Sequence, residues 1–511
     1  MPNLRERKNG ATMKKLKEIL SDIYKIGAAA GLLQWDQETY MPEGGGAFRA
    51  DVLAYLNLAA HRLATGSELR DALARHIDPE SGECINITLN DTEKRMLTLV
   101  WKELKKKLVL PDSFVEEMSK HLSVSQQKWA GARKENNFAA FAPYLEKTLE
   151  LKKREAEYYG YEEQAYDALL DGFEPGMTTA RVAALFGELK PRLIALTERI
   201  GKAQQIDDTL LKQSFDKDEQ WAFGMKIAKD IGLDMTRARQ DVSAHPFTIG
   251  IHPDDVRITT RLNEKALLSG LFSTIHEAGH AMYEQGLPKA HFGTPLGQAA
   301  SFGIHESQSR LWENMIGRSR DFWEYALPVL KGHFPQLQDV DLADWYRMIN
   351  TVKPSLIRVE ADEVTYSLHI MLRFDIESRM MNGELKVADL PEIWNAKIKD
   401  YFGIVPKNDA EGVLQDVHWS FGGIGYFPSY AMGNLYGAQI MSTAEKDIPA
   451  FWDKVRAGDF TALKNWLNEK VHARGHLYDP EALIEVISGA PLSAEPFMDY
   501  LEKKYGDIYR L

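Results

Sequence analysis

Residues 264–285, EKALLSGLFSTIHEAGHAMYEQ, decide how this chain reads. Leu268, Leu271, Phe272, Ile275 and Met282 recur at three and four, the period of one helix face. Asn263 is the expected N-cap, and Gly286 with Pro288 is the expected stop. Inside that helix His276 and His280 stand one turn apart on the same face, so two imidazole nitrogens can aim at one ion. Glu277 lies about 100° further round. It cannot chelate with the pair, but it can reach a water on the ion and act as general base. With 14 histidines in 511 residues, chance yields H-E-x-x-H in roughly 0.03 chains of this composition, so a metal site outweighs an ordinary helix carrying two imidazoles.

The neighbouring segments fit that reading. Upstream, PFTIGI and VRITTRL are short β-branched runs separated by His252-Pro253-Asp254-Asp255, which predicts a hairpin over 246–262. A catalytic ion needs a third protein ligand, and His291, His305 and Glu306 are the candidates. His291 follows the helix stop, and its segment lacks the spacing of a third-histidine motif. His305-Glu306-Ser307-Gln308 opens a further helical run, IHESQSRLWENMIG, able to lie across the first helix. Glu306 is therefore the expected third ligand, its alternative role being a surface pair with Arg310 one turn on.

Most of the remaining chain repeats at helical period, as in LKEILSDIYKIGAAAGLLQW and FAPYLEKTLELKKREAEYYGY, so the fold is expected to be mostly α with a small β-sheet beside the H-E-x-x-H helix. Pro42 to Gly46 predicts a short loop between helices. No repeat, low-complexity tract or long linker marks a domain boundary. An apolar content of 44% over 511 residues is ample for a large core. The net charge of -12 offers no basic field, so nucleic acid and anionic membrane surfaces are not expected partners. MPNLRERKNGATMKKLKEIL lacks a signal-peptide core and no apolar run is long enough to span a bilayer, which points to the cytoplasm. Cys84, the one cysteine, cannot form an internal disulfide and reads as structural.

Five motifs in fixed order resemble the carboxypeptidase Taq family of metallocarboxypeptidases. They are Asp255-Val256-Arg257-Ile258-Thr259, the pentapeptide 276–280, His305-Glu306-Ser307-Gln308, Ile357-Arg358-Val359-Glu360-Ala361-Asp362, and Gly412 to Trp419. The likeness extends to LQWDQETYMP near the N-terminus, GYFPSYAMGNLYGAQ after the last motif, and LYDPEALIEVISGAPL near the C-terminus. The resemblance implies a helical zincin fold of the neurolysin and angiotensin-converting-enzyme type with a long substrate groove. It implies one catalytic domain over residues 1–511, with an N-terminal helical half 1–240 and a metal-site half 241–511. It also implies metal ligation by His276, His280 and Glu306, with Glu277 as base. Zinc is the expected divalent ion, with cobalt or manganese as substitutes. The implied activity removes single residues from peptide C-termini with broad preference, disfavouring proline, in a homodimer.

The other motifs can be read beside that likeness. Asp255, Arg257 and Thr259 alternate and so share one strand face, either lining a substrate edge or forming a satisfied surface pair. Arg358 and Asp362 are one helical turn apart near LHIML, which predicts an internal salt bridge unless Arg358 is used elsewhere. A carboxypeptidase must hold a terminal carboxylate, for which a bidentate arginine is suited; Arg358 is the first candidate and Arg257 the second. His418 precedes the flexible run SFGGIGYFPSY, which can bring it and a phenol, Tyr426 or Tyr430, against a developing oxyanion. Tyr426 is the assigned partner, with Tyr430 beside it in the substrate site. The rival activities are a metallo-oligopeptidase cutting short peptides internally and a helical scaffold with a structural metal.

Overall fold

Helix α1 (Leu4–Thr39) packs on α2 (Gly46–Thr65) across a single tight turn at Glu43–Gly45, where a short loop is expected. The computed structural model describes the backbone of residues 4–511 and the side chains from residue 10 onward. Met13, Leu16 and Leu20 of α1 join Leu69, Leu97, Val100 and Leu296 in a small apolar core. A larger one, in which Leu145 and Leu189 pack with Ile275 and Leu435, occupies the rest of the molecule.

The expected hairpin is present, and it belongs to a three-stranded sheet. Strands β1 (Ala238–Val242), β2 (Thr248–His252) and β3 (Asp255–Thr260) lie in the order β1-β3-β2. β2 runs antiparallel to β3 with a register shift between Gly250 and His252, while β1 runs parallel to β3. β3 is central because Val256, Ile258, Thr259 and Thr260 are all buried. β1 escapes a sequence reading since ARQDV shows no apolar alternation; its buried Gln240 and Asp241 are polar. The end of α1 is fastened to this sheet by Trp35, whose ring carries the guanidinium of Arg257 at 4.5 Å and that of Arg239 at 4.9 Å.

Helix α3 (Leu267–Gly286) follows and packs on β3. Its start differs from the expected N-cap. The Asn263 side chain accepts from Lys265 N and closes a local turn, so residues 263–266 are spent on that turn and the helix begins at Leu267. Its end at Gly286 falls as expected. Helix α4 (Phe302–Arg310) crosses α3 at Gly279, where a Cβ would lie 2.7 Å from the Ser309 Cα. After Arg310 the chain opens into one wide π-helical turn, Leu311–Ile316. Two further buried helices complete the site's walls, α5 (Tyr366–Met381) and α6 (Pro428–Asp447). α6 packs on α4 at Gly433, where a Cβ would lie 2.6 Å from the Glu306 Cγ. Glu306 is thus wedged where only glycine leaves room.

Candidate active site

The close crossing at Gly279 brings Glu306 over the two histidines. Its Oε2 lies 3.4 Å from His280 Nε2 and 3.7 Å from His276 Nε2. All three potential ligand atoms fall within 4.8 Å of one another. Metal–ligand bonds of about 2.0–2.1 Å at the tetrahedral angle require ligand separations of about 3.3 Å, so the donor set suits a small divalent ion. Among the described residues this is the one such group of His, Cys, Asp and Glu. His291 lies apart in the turn Lys289–His291. His305 sits behind His280, touching its Nδ1.

Each ligand candidate is held from behind. Glu313, delivered by the wide turn, accepts from His276 Nδ1 at 2.9 Å. Arg310 donates Nε–H to Glu306 Oε1 at 2.8 Å and NH1 to Glu313 at 3.3 Å. The pairing with Arg310, posed as an alternative to ligation, therefore uses one carboxylate oxygen and leaves the other turned toward the histidines. Burial would raise the Glu306 carboxyl, but Arg310 and the imidazoles hold it well below the usual range. Glu313 is held low by Arg310 and His276 against the same burial. Burial lowers His280 to about 3, aided by the neighbouring His305, so this imidazole stays neutral as a ligand must.

Glu277 faces the sheet side of the cluster. Thr248 of β2 donates its hydroxyl to Glu277 Oε2 at 2.6 Å, and burial raises the carboxyl above its ordinary value. A raised carboxyl is the condition for a base that must later give up its proton.

A second cluster of charge adjoins the first through Tyr366, whose ring carries Arg310 at 4.4 Å. Arg358 donates from Nε and NH2 to Asp416 Oδ1 at 3.0 and 2.8 Å, and from NH1 to the Tyr366 hydroxyl at 3.1 Å. Arg373 of α5, fully buried, grips Asp416 Oδ2 from behind through Nε at 2.7 Å and NH2 at 2.5 Å. Burial would raise Asp416, but these two guanidiniums hold it well below the usual range. This corrects the expected Arg358–Asp362 pair. Arg358 opens a short turn, Arg358–Glu360, and α5 starts only at Tyr366, so the two residues do not stack on one helix. Asp362 instead accepts the backbone N–H groups of Lys353, Val364 and Thr365.

His418 begins the turn His418–Phe421 beside this cluster. Its Nε2 lies 3.4 Å from the Tyr430 hydroxyl, and its ring is 5.3 Å from that of Tyr426. Burial lowers His418 to about 4 and raises both phenols, so all three are neutral hydrogen-bonding groups near neutral pH. The loop carrying His418 and Tyr426 hangs on Glu377, whose carboxyl accepts from Trp419 Nε1 and the Tyr166 hydroxyl at 2.7 Å and from Gly425 N at 3.0 Å. Arg257 lies elsewhere, paired with Asp255 through two hydrogen bonds and stacked on Trp35. Thr259 on the same strand is buried and bonded to Ser243 and Phe247.

Sequence reasoning missed Thr248, Glu313, Tyr366 and Arg373. None lies in the quoted motifs. Tyr366, four residues beyond Asp362, is the one that a helical continuation of its motif could have suggested.

Two histidines and a carboxylate in ligand geometry, a buried glutamate beside them on the same helix and a helical scaffold around them fit a metallopeptidase of the zincin type. Residues 15–505 match the family model described as carboxypeptidase Taq (M32) metallopeptidase. Thermostable carboxypeptidase 1 of Thermus thermophilus is 39% identical over 513 residues, covering 98% of this chain and 99% of that protein. Carboxypeptidase 1 of Bacillus subtilis is also 39% identical, over 98% of this chain and 99% of its own. The crystal structure of the M32 carboxypeptidase from Deinococcus radiodurans superposes with a TM-score of 0.95 at 38% identity, covering 98% of this chain and 100% of that one. The chain belongs to the carboxypeptidase Taq family and is a metallocarboxypeptidase.

Proposed function

We propose that this enzyme releases single C-terminal residues from peptides with broad preference, disfavouring proline, and that His276, His280 and Glu306 hold its ion. The observation that carries the reading is the triad of ligand atoms within 4.8 Å of one another with Glu277 next in sequence. A divalent ion bound there, zinc or in its place cobalt or manganese, would polarise the scissile carbonyl and acidify a water. Glu277 takes the proton of the attacking water and passes it to the departing amino acid, with Thr248 fixing the carboxylate's orientation. His418 and Tyr426 stabilise the oxyanion as neutral donors, and Tyr430 faces the substrate beside them. Arg358 holds the terminal carboxylate. Two buried guanidiniums share one Asp416, which leaves a positive excess for an incoming anion. The Arg257 guanidinium, already paired and stacked, is the second candidate for this role.

A homodimer in the cytoplasm completes the proposal. It is supported by the exposed Phe48, Tyr55 and Leu58 of α2, an apolar surface that a second copy would cover. No described helix is long and apolar enough to cross a membrane.

The test is mass spectrometry of an unmodified peptide and its C-terminal amide, incubated with metal-free enzyme and after metal is added back. A ladder losing one C-terminal residue at a time, only with metal and only from the free acid, is expected. Internal fragments from both peptides would establish an oligopeptidase instead.

A further inference from the structure

The two histidines of the metal centre are supported differently. His276 Nδ1 meets a carboxylate directly, at Glu313. His280 Nδ1 meets a second imidazole, His305 Nδ1, at 2.6 Å, and His305 Nε2 lies 2.8 Å from Glu284 Oε1. Two ring nitrogens that close must share one proton. For His280 to offer the Nε2 lone pair that faces Glu306, that proton belongs on His280 Nδ1, and His305 Nδ1 accepts it. The other nitrogen of a neutral His305 is then the N–H that donates to Glu284. The chain closes with every donor facing an acceptor.

The backbone makes room for this chain. Glu284 leaves α3 one turn beyond His280 and lies across β2 at Gly250, where a Cβ would come 2.2 Å from Glu284 Oε2. Gly250 also sits at the register shift of β2. The glycine thus lets the carboxylate reach His305.

We infer that His305 and Glu284 form a relay, made possible by Gly250, that fixes the tautomer and orientation of His280 and so sets how tightly this site holds its ion. His305 is a positioning residue here, acting through His280. The inference rests on the ligand assignment proposed above, and it adds a determinant of affinity on one ligand only. Hydrogen-bonded partners behind metal ligands contribute about 10–100-fold in affinity.

The experiment is zinc titration of the metal-free full-length enzyme against a chromophoric chelator, with thermal melting of the metal-free proteins alongside. His305→Leu, which removes the acceptor, should weaken zinc binding by about 10–100-fold. His305→Asn places an amide oxygen near the position of Nδ1 and should recover most of that loss. Gly250→Ala, which pushes Glu284 aside, should weaken binding in the same direction without touching either imidazole. Should His305→Leu and Gly250→Ala melt like the parent and bind zinc as tightly, the relay is refuted while the ligand assignment stands. A parent protein that takes up no zinc, cobalt or manganese overturns the ligand assignment and the relay together.

Discussion

Two charged clusters meet at Tyr366, whose ring carries Arg310 at 4.4 Å and whose hydroxyl accepts from Arg358, and they differ in charge balance. In the first, two carboxylates held ionised, Glu306 and Glu313, face Arg310, and Arg318 reaches Glu313 at 3.7 Å. In the second, two guanidiniums, Arg358 and Arg373, surround one carboxylate, Asp416. Buried charge is costly unless paired, so the first cluster is balanced by its own arginines while the second is left with a positive excess. On the proposed reading, an ion held by His276, His280 and Glu306 would stand beside the first, and a peptide's terminal carboxylate would complete the second.

The comparison breaks if the two clusters cannot be perturbed separately. Stripping the ion with a chelator attacks the first alone, and peptide hydrolysis should fall by more than about 10³-fold and return with added metal, followed by release of free amino acid. Glu277→Gln should keep metal uptake, measured by elemental analysis, while kcat falls about 10²–10⁴-fold; substantial turnover in that variant would remove Glu277 from the role of base. Arg358→Met attacks the second cluster and leaves Asp416 paired with Arg373. It should lower kcat/KM for free peptides about 10–100-fold at unchanged metal affinity, and equal losses on free and amidated peptides would deny Arg358 the carboxylate. Thr248→Val should cost a few-fold in kcat, with Thr248→Ser restoring it.

A smaller effect separates the loop that joins the clusters. Burial raises the Glu377 carboxyl to about 7 and lowers His418 to about 4. The folded state keeps the Glu377 proton that the unfolded chain loses, so its contribution is full below about 4.5 and is lost as pH rises through about 7. His418 has the opposite slope, with its contribution present above about 6.5 and lost as pH falls toward 4. Glu377→Gln removes this titration, so chemical denaturation of the variant should lack the parent's loss of stability as pH rises through about 7. Because its NH2 meets donors that the carboxyl accepts from, the variant should be less stable than the parent near pH 5.

The legible part of this site is the part that local spacing encodes. His276 and His280 are paired by one helical turn, and Glu306 could be chosen because its segment opens a new helix. The hairpin was readable from β-branched runs; β1 was not, being polar where it is buried. Arg358 shows the limit of such reasoning. The carboxylate one helical turn on, Asp362, is satisfied by backbone, and the partner of Arg358, Asp416, lies 58 residues away. Nothing in either segment specifies that pairing, which depends on how α5 and the His418 loop pack. Thr248 and Glu313 were invisible for the same reason, since each supports a motif from a different element.

The wide turn at Leu311–Ile316 constrains the chain's length as well as its composition. Each residue added to or removed from a helix rotates everything beyond it by about 100°. Glu313 reaches His276 only because the residues between it and Arg310 are counted as they are, so a one-residue deletion between Arg310 and Glu313 would disconnect the pair even with every named side chain kept. Insertions and deletions between Arg310 and Glu313 should therefore be rarer in descendants of this gene than substitutions at the same positions.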